Sequence, residues 1–245
     1  MLRIEGGSPS KVIAHGGYAF VNIGYNISAI DVDPVDTMSE VGIYESGQSL
    51  IDMDYRNGII YVINGNQMLQ VINAIDPYNI SFVRELAVSG YPMGVAFSKD
   101  GNYAYVCNNY GPLDIISCTN LDIPTLVASY STFANSEDVD EADGYAYIAD
   151  AGYGLKVIDV EPYNSANLVK TVDMDWNYTH HVVVYNGYAF VSAQDNFHIV
   201  DVRAPESAYI AYSIPTNGIF GCSDVEGKYL YSSNDHNGLR IFKLW

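Results

Sequence analysis

Asp52, Asp138 and Asp224 stand 86 residues apart in the contexts Ile51-Asp-Met53, Glu137-Asp-Val139 and Ser223-Asp-Val225. Carboxylates gathered around one axis can share a cation, or raise one another's pKa because like charges disfavour ionisation. These three are the candidate metal ligands, with calcium the ion suited to hard oxygens. The competing reading makes each a hydrogen-bond acceptor for neighbouring loop amides. Three shorter acidic runs also offer oxygens: Asp31-x-Asp33-x-x-Asp36, Asp138-x-Asp140-Glu141-x-Asp143 and Asp173-x-Asp175. None follows the full calcium-loop pattern, and the first falls at an Asp-Pro turn.

Other chemistries find little support. His180 and His181 are neighbours, and on an extended chain neighbours point to opposite faces, which disfavours a shared zinc. There is no Gly-x-Ser-x-Gly elbow for nucleophilic hydrolysis. Gly152-Tyr-Gly154 reads as a hairpin turn with no helix after it to bind phosphate. Cys107, Cys118 and Cys222 are an odd set with no CxxC pair. No catalytic residue is assigned, and the expectation is a protein that is not an enzyme and needs no cofactor, calcium excepted.

The segment Asp173–His181 concentrates Trp176, Tyr178 and His180. With Tyr91, Phe133, Phe220, Asn109, Asp150, Asp195 and Asp235 these form the candidate ligand-binding set. Rings offer flat apolar area and amides offer paired donors and acceptors, a surface suited to a glycan or a protein partner. The alternative is turn chemistry, since Asn, Asp and Gly are the residues tight hairpins require.

These residues recur because the chain repeats. Gly17-Tyr-Ala-Phe-Val21, Gly58-Ile-Ile-Tyr-Val62, Asn102-Tyr-Ala-Tyr-Val106, Gly144-Tyr-Ala-Tyr-Ile148, Gly187-Tyr-Ala-Phe-Val191 and Lys228-Tyr-Leu-Tyr-Ser232 are six copies of one strand. The turn glycines Gly17, Gly58, Gly101, Gly144, Gly187 and Gly227 are separated by 41, 43, 43, 43 and 40 positions. A second aliphatic run follows each, such as Leu155-Lys-Val-Ile-Asp159, and further short apolar runs flank the pair. Four strands in a period of this length make a propeller blade, whereas helical solenoids would show a period of about 3.6.

The prediction is one all-β domain over residues 1–245, a six-bladed β-propeller with four antiparallel strands per blade. Its blades span approximately 6–45, 46–89, 90–132, 133–175, 176–216, and 217–245 joined by 1–5. The sixth repeat stops after its third strand, so Met1-Leu-Arg-Ile-Glu5 is expected to supply the fourth and close the ring, removing an open edge.

The runs Leu155-Lys-Val-Ile-Asp-Val160 and Phe197-His-Ile-Val-Asp-Val202, with Tyr-Ala-Tyr-Ile-Ala-Asp before the former, resemble the LVIVD repeat family of bacterial and archaeal propellers. The resemblance covers nearly the whole chain and implies a surface or secreted propeller without an assigned activity. Asn73, Ser117 and Lys243 depart from its terminal Asp, a position read here as a turn residue.

With 11 Lys+Arg against 29 Asp+Glu the formal charge is -18, which repels nucleic acid and anionic lipid. Neither a signal-peptide pattern nor an apolar run long enough to cross a bilayer is present, so no membrane insertion is expected. The leading expectation is a non-catalytic binding or scaffold propeller, extracellular or at the cell surface. It would engage a protein or glycan through the face formed by the loops between second and third strands and between successive blades. The rivals are a calcium-dependent hydrolase of the lactonase type using Asp52, Asp138 and Asp224, and a structural component of a surface assembly.

Overall fold

The computed structural model describes residues 9–132, 135–175, 177–215, 220–234 and 238–244. Among these residues, short β-branched and aromatic runs bounded by Gly, Asn and Asp fold into 23 strands arranged in six sheets. Blade one holds β1 (Pro9–His15), β2 (Tyr18–Ile23), β3 (Asn26–Asp31) and β4 (Ser39–Glu45). Blade two holds β5 (Leu50–Arg56), β6 (Ile59–Asn64), β7 (Met68–Asn73) and β8 (Ser81–Ala87). Blade three holds β9 (Tyr91–Phe97), β10 (Tyr103–Asn109), β11 (Pro112–Ser117) and β12 (Thr125–Ser131). Blade four holds β13 (Asp138–Ala142), β14 (Tyr145–Ala149), β15 (Leu155–Asp159) and β16 (Asn167–Val172). Blade five holds β17 (Thr179–Tyr185), β18 (Tyr188–Ala193), β19 (Asn196–Asp201) and β20 (Tyr209–Pro215). Blade six holds β21 (Phe220–Glu226), β22 (Tyr229–Asn234) and β23 (Gly238–Lys243).

Strands follow sequence order in every sheet and all pairings are antiparallel, as a six-bladed propeller requires. The first hairpins turn on Gly16-Gly17, Asn57-Gly58, Asp143-Gly144 and Asn186-Gly187, all with positive φ. Such turns match the right-handed twist of the flanking strands. The Asp that closes the third strand has a turn role: Asp31, Asp159 and Asp201 each accept, through Oδ1, the amide of the residue two further on, at 3.0–3.1 Å. Asn73 does the same for Ile75 at 3.0 Å, which is why its departure from Asp is tolerated.

The core lies between blades. Five apolar clusters join blades one to two, two to three, three to four, four to five and five to six. In blades one to five the second and third strands face a neighbour on both sides and are buried accordingly, with every residue of β6 buried; β23 of blade six is mostly exposed. Outer strands such as β8 are mostly exposed. Tyr61 shows the cost of burying a polar tip being met: its ring is enclosed and its OH donates to Leu121 O of the next blade at 2.9 Å. Among the described residues blade six has three strands, and the expected closing strand Met1–Glu5 lies outside them.

Candidate functional site

The inner strands β1, β5, β9, β13, β17 and β21 line an axial cavity of about 610 Å³. Lys11, Asp52, Gly94, Asp138 and His181 share one register on five of these strands, paired with Asn22, Ile63, Cys107, Ala149 and Ser192. All but Gly94, which has no side chain, reach toward the following blade. Lys11 Nζ meets Asp52 Oδ1 at 2.9 Å, and Asp52 Oδ2 accepts the Val95 amide at 3.0 Å. Asp138 Oδ2 accepts the Val182 amide at 3.0 Å and lies 3.4 Å from His181 Nε2. His181 Nδ1 in turn accepts the Ser223 amide at 3.3 Å, which leaves its proton on Nε2, facing Asp138. Cys222 Sγ stands 3.9 Å from Ser10 O of blade one. The aspartates therefore satisfy inner-strand amides, whose strand edge has no further partner strand.

The structure corrects one sequence expectation here. Asp52 and Asp138 correspond, but Asp224 does not belong with them. Asp54, Asp140 and Asp224 are the equivalent residues, paired with Tyr61, Tyr147 and Tyr231. The equal spacing misled because the blade-six hairpin turns on Gly227-Lys228, so Gly227 takes the first turn position, where Asn57 and Asp143 stand in blades two and four. Asp54 Oδ2 accepts the Phe97 amide at 2.8 Å and Asp140 Oδ2 the Val184 amide at 2.6 Å. Among the described residues no group of three or more His, Cys, Asp or Glu side chains comes together as a metal site. Asp52 is already matched with an ammonium. Asp31 and Asp173, from the other acidic runs, accept amides of their own turns.

Burial shapes the charges of this channel. Burial pushes Asp140 up to about 7 against the pull of its two backbone amides. It raises Asp138 as well, with Lys11 opposing. Burial and the neighbouring Lys11 hold His181 down to about 3. Burial opposes the Lys11 ammonium, but Asp52 and Asp138 outweigh it and raise its pKa. Sequence reasoning missed Lys11 and Asp54 and named Asp140 only within an acidic run; a cation on the first strand of blade one, where blades two and four carry Asp, was the available signal.

The second site is the loop face. Loops between second and third strands meet the connections between blades there: Ser46 N donates to Tyr25 O at 3.0 Å, Val88 N to Gln67 O at 3.1 Å and Gln194 N to Tyr178 O at 2.9 Å. Tyr25, Tyr91, Tyr110 and Tyr153 are exposed on it, Tyr110 to 84%. Tyr91 pairs with Asn109, and Asn109 bridges to Asn135, whose Nδ2 donates to Tyr110 OH at 3.3 Å. Tyr178 donates to Glu137 and packs on His180 with ring centroids 4.7 Å apart. Burial, then Glu137, pushes the Tyr178 hydroxyl up to about 12, and burial lowers the His180 pKa.

Of the ligand-binding set, Tyr91, Asn109, Tyr178 and His180 gather on this face, and Asp195, whose amide bonds Asn177 Oδ1 at 3.0 Å, sits at its blade-five loop. Asp150 is placed differently: it is fully buried and ion-paired with Lys156, whose Nζ also donates to Thr132 O at 2.7 Å. Trp176, Phe133 and Asp235 lie outside the described residues, as does the side chain of Phe220. Glu137 was not foreseen, and nothing in its local sequence marks it.

A family model described as the LVIVD repeat matches residues 87–132, 135–173 and 177–215. No curated protein matches the sequence. Among solved structures, a functionally unknown protein from Desulfotomaculum acetoxidans DSM 771 superposes with a TM-score of 0.79 at 10% identity, over 98% of this chain and 91% of that one. The computationally designed Ika8 protein gives 0.74 at 8% identity, over 98% and 72%. The β-propeller domain of Cps50 (Swd1) from Myceliophteria thermophila gives 0.72 at 9% identity, over 94% and 81%. At these identities the likeness is one of fold.

Proposed function

This chain belongs to the LVIVD repeat family, and from that premise we propose that it is a non-catalytic binding propeller, displayed outside the cell, that engages a protein or glycan through its loop face. One observation carries the reading: Tyr91, Asn109, Tyr110 and Asn135 form one bonded group and Glu137, Tyr178 and His180 another, two residues further along the chain from Asn135, drawn together from blades three to five. Exposed tyrosines supply rigid contact area at low entropic cost. The hydrolase alternative gains less from the geometry, since Asp52 is matched by Lys11 and Asp224 is out of register with Asp138.

The test is a paired screen of the purified protein and its Tyr91→Ser, Tyr110→Ser variant against a glycan array and a panel of purified extracellular proteins. Both side chains are exposed, so the variant should fold normally. A partner that loses about tenfold or more in affinity supports the reading. Partners held equally by both proteins would remove it.

A further inference from the structure

The two ends of the propeller carry different charge patterns. The connections that build the loop face in blades one to five are residues 24–25, 46–49, 65–67, 88–90, 110–111, 132–137, 150–154, 173–178 and 194–195. They contain Glu137, Asp150, Asp173, Asp175 and Asp195, and no Lys or Arg. Asp150 is buried and matched by Lys156, which leaves Glu137, Asp173, Asp175 and Asp195 to set the charge of the surface. The last three are exposed, and the bond from the Asp195 amide to Asn177 Oδ1 holds Asp195 against the connection that carries Asp173 and Asp175. The opposite end mixes the signs. Lys99 pairs there with Asp143 at 2.7 Å, Arg203 pairs with Asp201, and Arg56 donates to Ser98 O and Lys99 O, each at 3.1 Å.

Tyrosine rings stand among the loop-face carboxylates. Burial and Glu137 raise the pKa of the Tyr178 hydroxyl, and Tyr110 lies close enough to add to that shift, so the two bonded groups of this face adjoin. Tyr91 reaches the other way, its OH 4.0 Å from where a Cβ on Gly65 of blade two would stand. The result is an aromatic and acidic strip running from blade two to blade five. Tyr153, exposed in the blade-four loop, already takes a cation: the Lys156 ammonium lies 5.8 Å from its ring centroid, within reach of a cation–π contact.

Ring faces and carboxylates both attract cations, and with no Lys or Arg in these connections nothing on the strip repels them. An anionic glycan is repelled here, and a neutral one gains nothing from the carboxylates. A single small amine would engage one ring and one carboxylate, whereas these tyrosines and acids are spread over blades three to five. Resting on the reading of this face as a binding surface, we propose that its partner is a protein segment carrying several Lys or Arg side chains. Their charged heads meet Glu137, Asp173, Asp175 and Asp195, and their stems lie along Tyr91 and Tyr110.

Titration calorimetry of the full chain with a short oligolysine peptide, and with oligoglutamine of the same length as the neutral control, tests this. Three variants accompany the wild type: Tyr91→Ser, Tyr110→Ser; Asp173→Asn, Asp175→Asn, Asp195→Asn; and Asp33→Asn, Asp36→Asn, Glu161→Gln, which removes the same charge from the opposite end. The Asp173→Asn change keeps the oxygen that accepts the Asp175 amide, so the turn survives. Oligolysine is expected to bind the wild type and oligoglutamine is not. Affinity for oligolysine should fall about tenfold or more in both loop-face variants and stay within about twofold in the opposite-end variant. Failure of oligolysine to bind would overturn the inference, as would an equal fall in the opposite-end variant, which assigns the attraction to net charge alone. A neutral glycan that emerges from the paired screen and is lost with Tyr91 and Tyr110, together with no oligolysine binding, keeps the proposed function and overturns only the cationic partner.

Discussion

Lys11 of blade one, on the wall of the axial cavity, meets Asp52 of blade two at 2.9 Å, and Lys11 is the one Lys or Arg among the described residues lining that cavity. The ammonium therefore acts as an internal counter-ion for a channel whose walls carry Asp54, Asp138, Asp140 and Asp224. Replacing it with Met leaves a largely buried carboxylate without its cation, at a cost of roughly 3 kcal/mol. Lys11→Met combined with Asp52→Asn should recover part of that loss. Urea unfolding of the two single variants and the double variant measures the coupling, and strictly additive losses would mean that the pair does not interact.

Asp140 makes stability depend on pH. Its folded pKa of about 7 lies above the ordinary 3.8, so between those values the folded protein holds a proton that the unfolded chain has released. Its contribution to stability therefore falls as pH rises from about 4 to about 7 and is level beyond. His181, held down to about 3, works in the opposite direction up to its ordinary 6.5. Subtracting Asp140→Asn isolates the first effect: the melting temperature of wild type minus that of the variant should drop across this range. A difference that is flat with pH contradicts the assignment.

Gly94 lacks a side chain because Asp138 occupies the space. A Cβ there would stand 2.8 Å from Asp138 Oδ1 and 2.9 Å from its Cα. Gly94→Ala should destabilise by about 2 kcal/mol through overpacking, and Gly152→Ala, with open space around it, should cost little. Thermal melts of the pair read the contrast.

Tyr178 and Glu137 bring together connections on either side of blade four. Tyr178→Phe keeps the ring on His180 and removes the hydroxyl, so the expected loss is about 1 kcal/mol. Should the Phe variant melt like wild type, the hydrogen bond contributes nothing to holding this part of the loop face.

Much of the fold is legible without coordinates. Aromatic runs after a turn glycine, repeated six times, give the number of blades, and the Asp ending Leu155-Lys-Val-Ile-Asp159 can be read as a turn residue from local chemistry alone. The candidate site was less legible. Equal spacing grouped Asp224 with Asp52 and Asp138, although counting back from the first turn residue would have paired it with Asp54 and Asp140.

What the sequence determined by itself is whatever one repeat specifies within its own four strands: alternation, hairpin turns and the closing Asp. What only the tertiary structure decided is how one blade meets the next. Asp52 binds the amide of Val95, 43 residues away, and Lys156 neutralises Asp150 while tied to Thr132. No local pattern encodes such pairs, because they form only when blades stack and an inner-strand amide or a buried carboxylate must find its partner on another element.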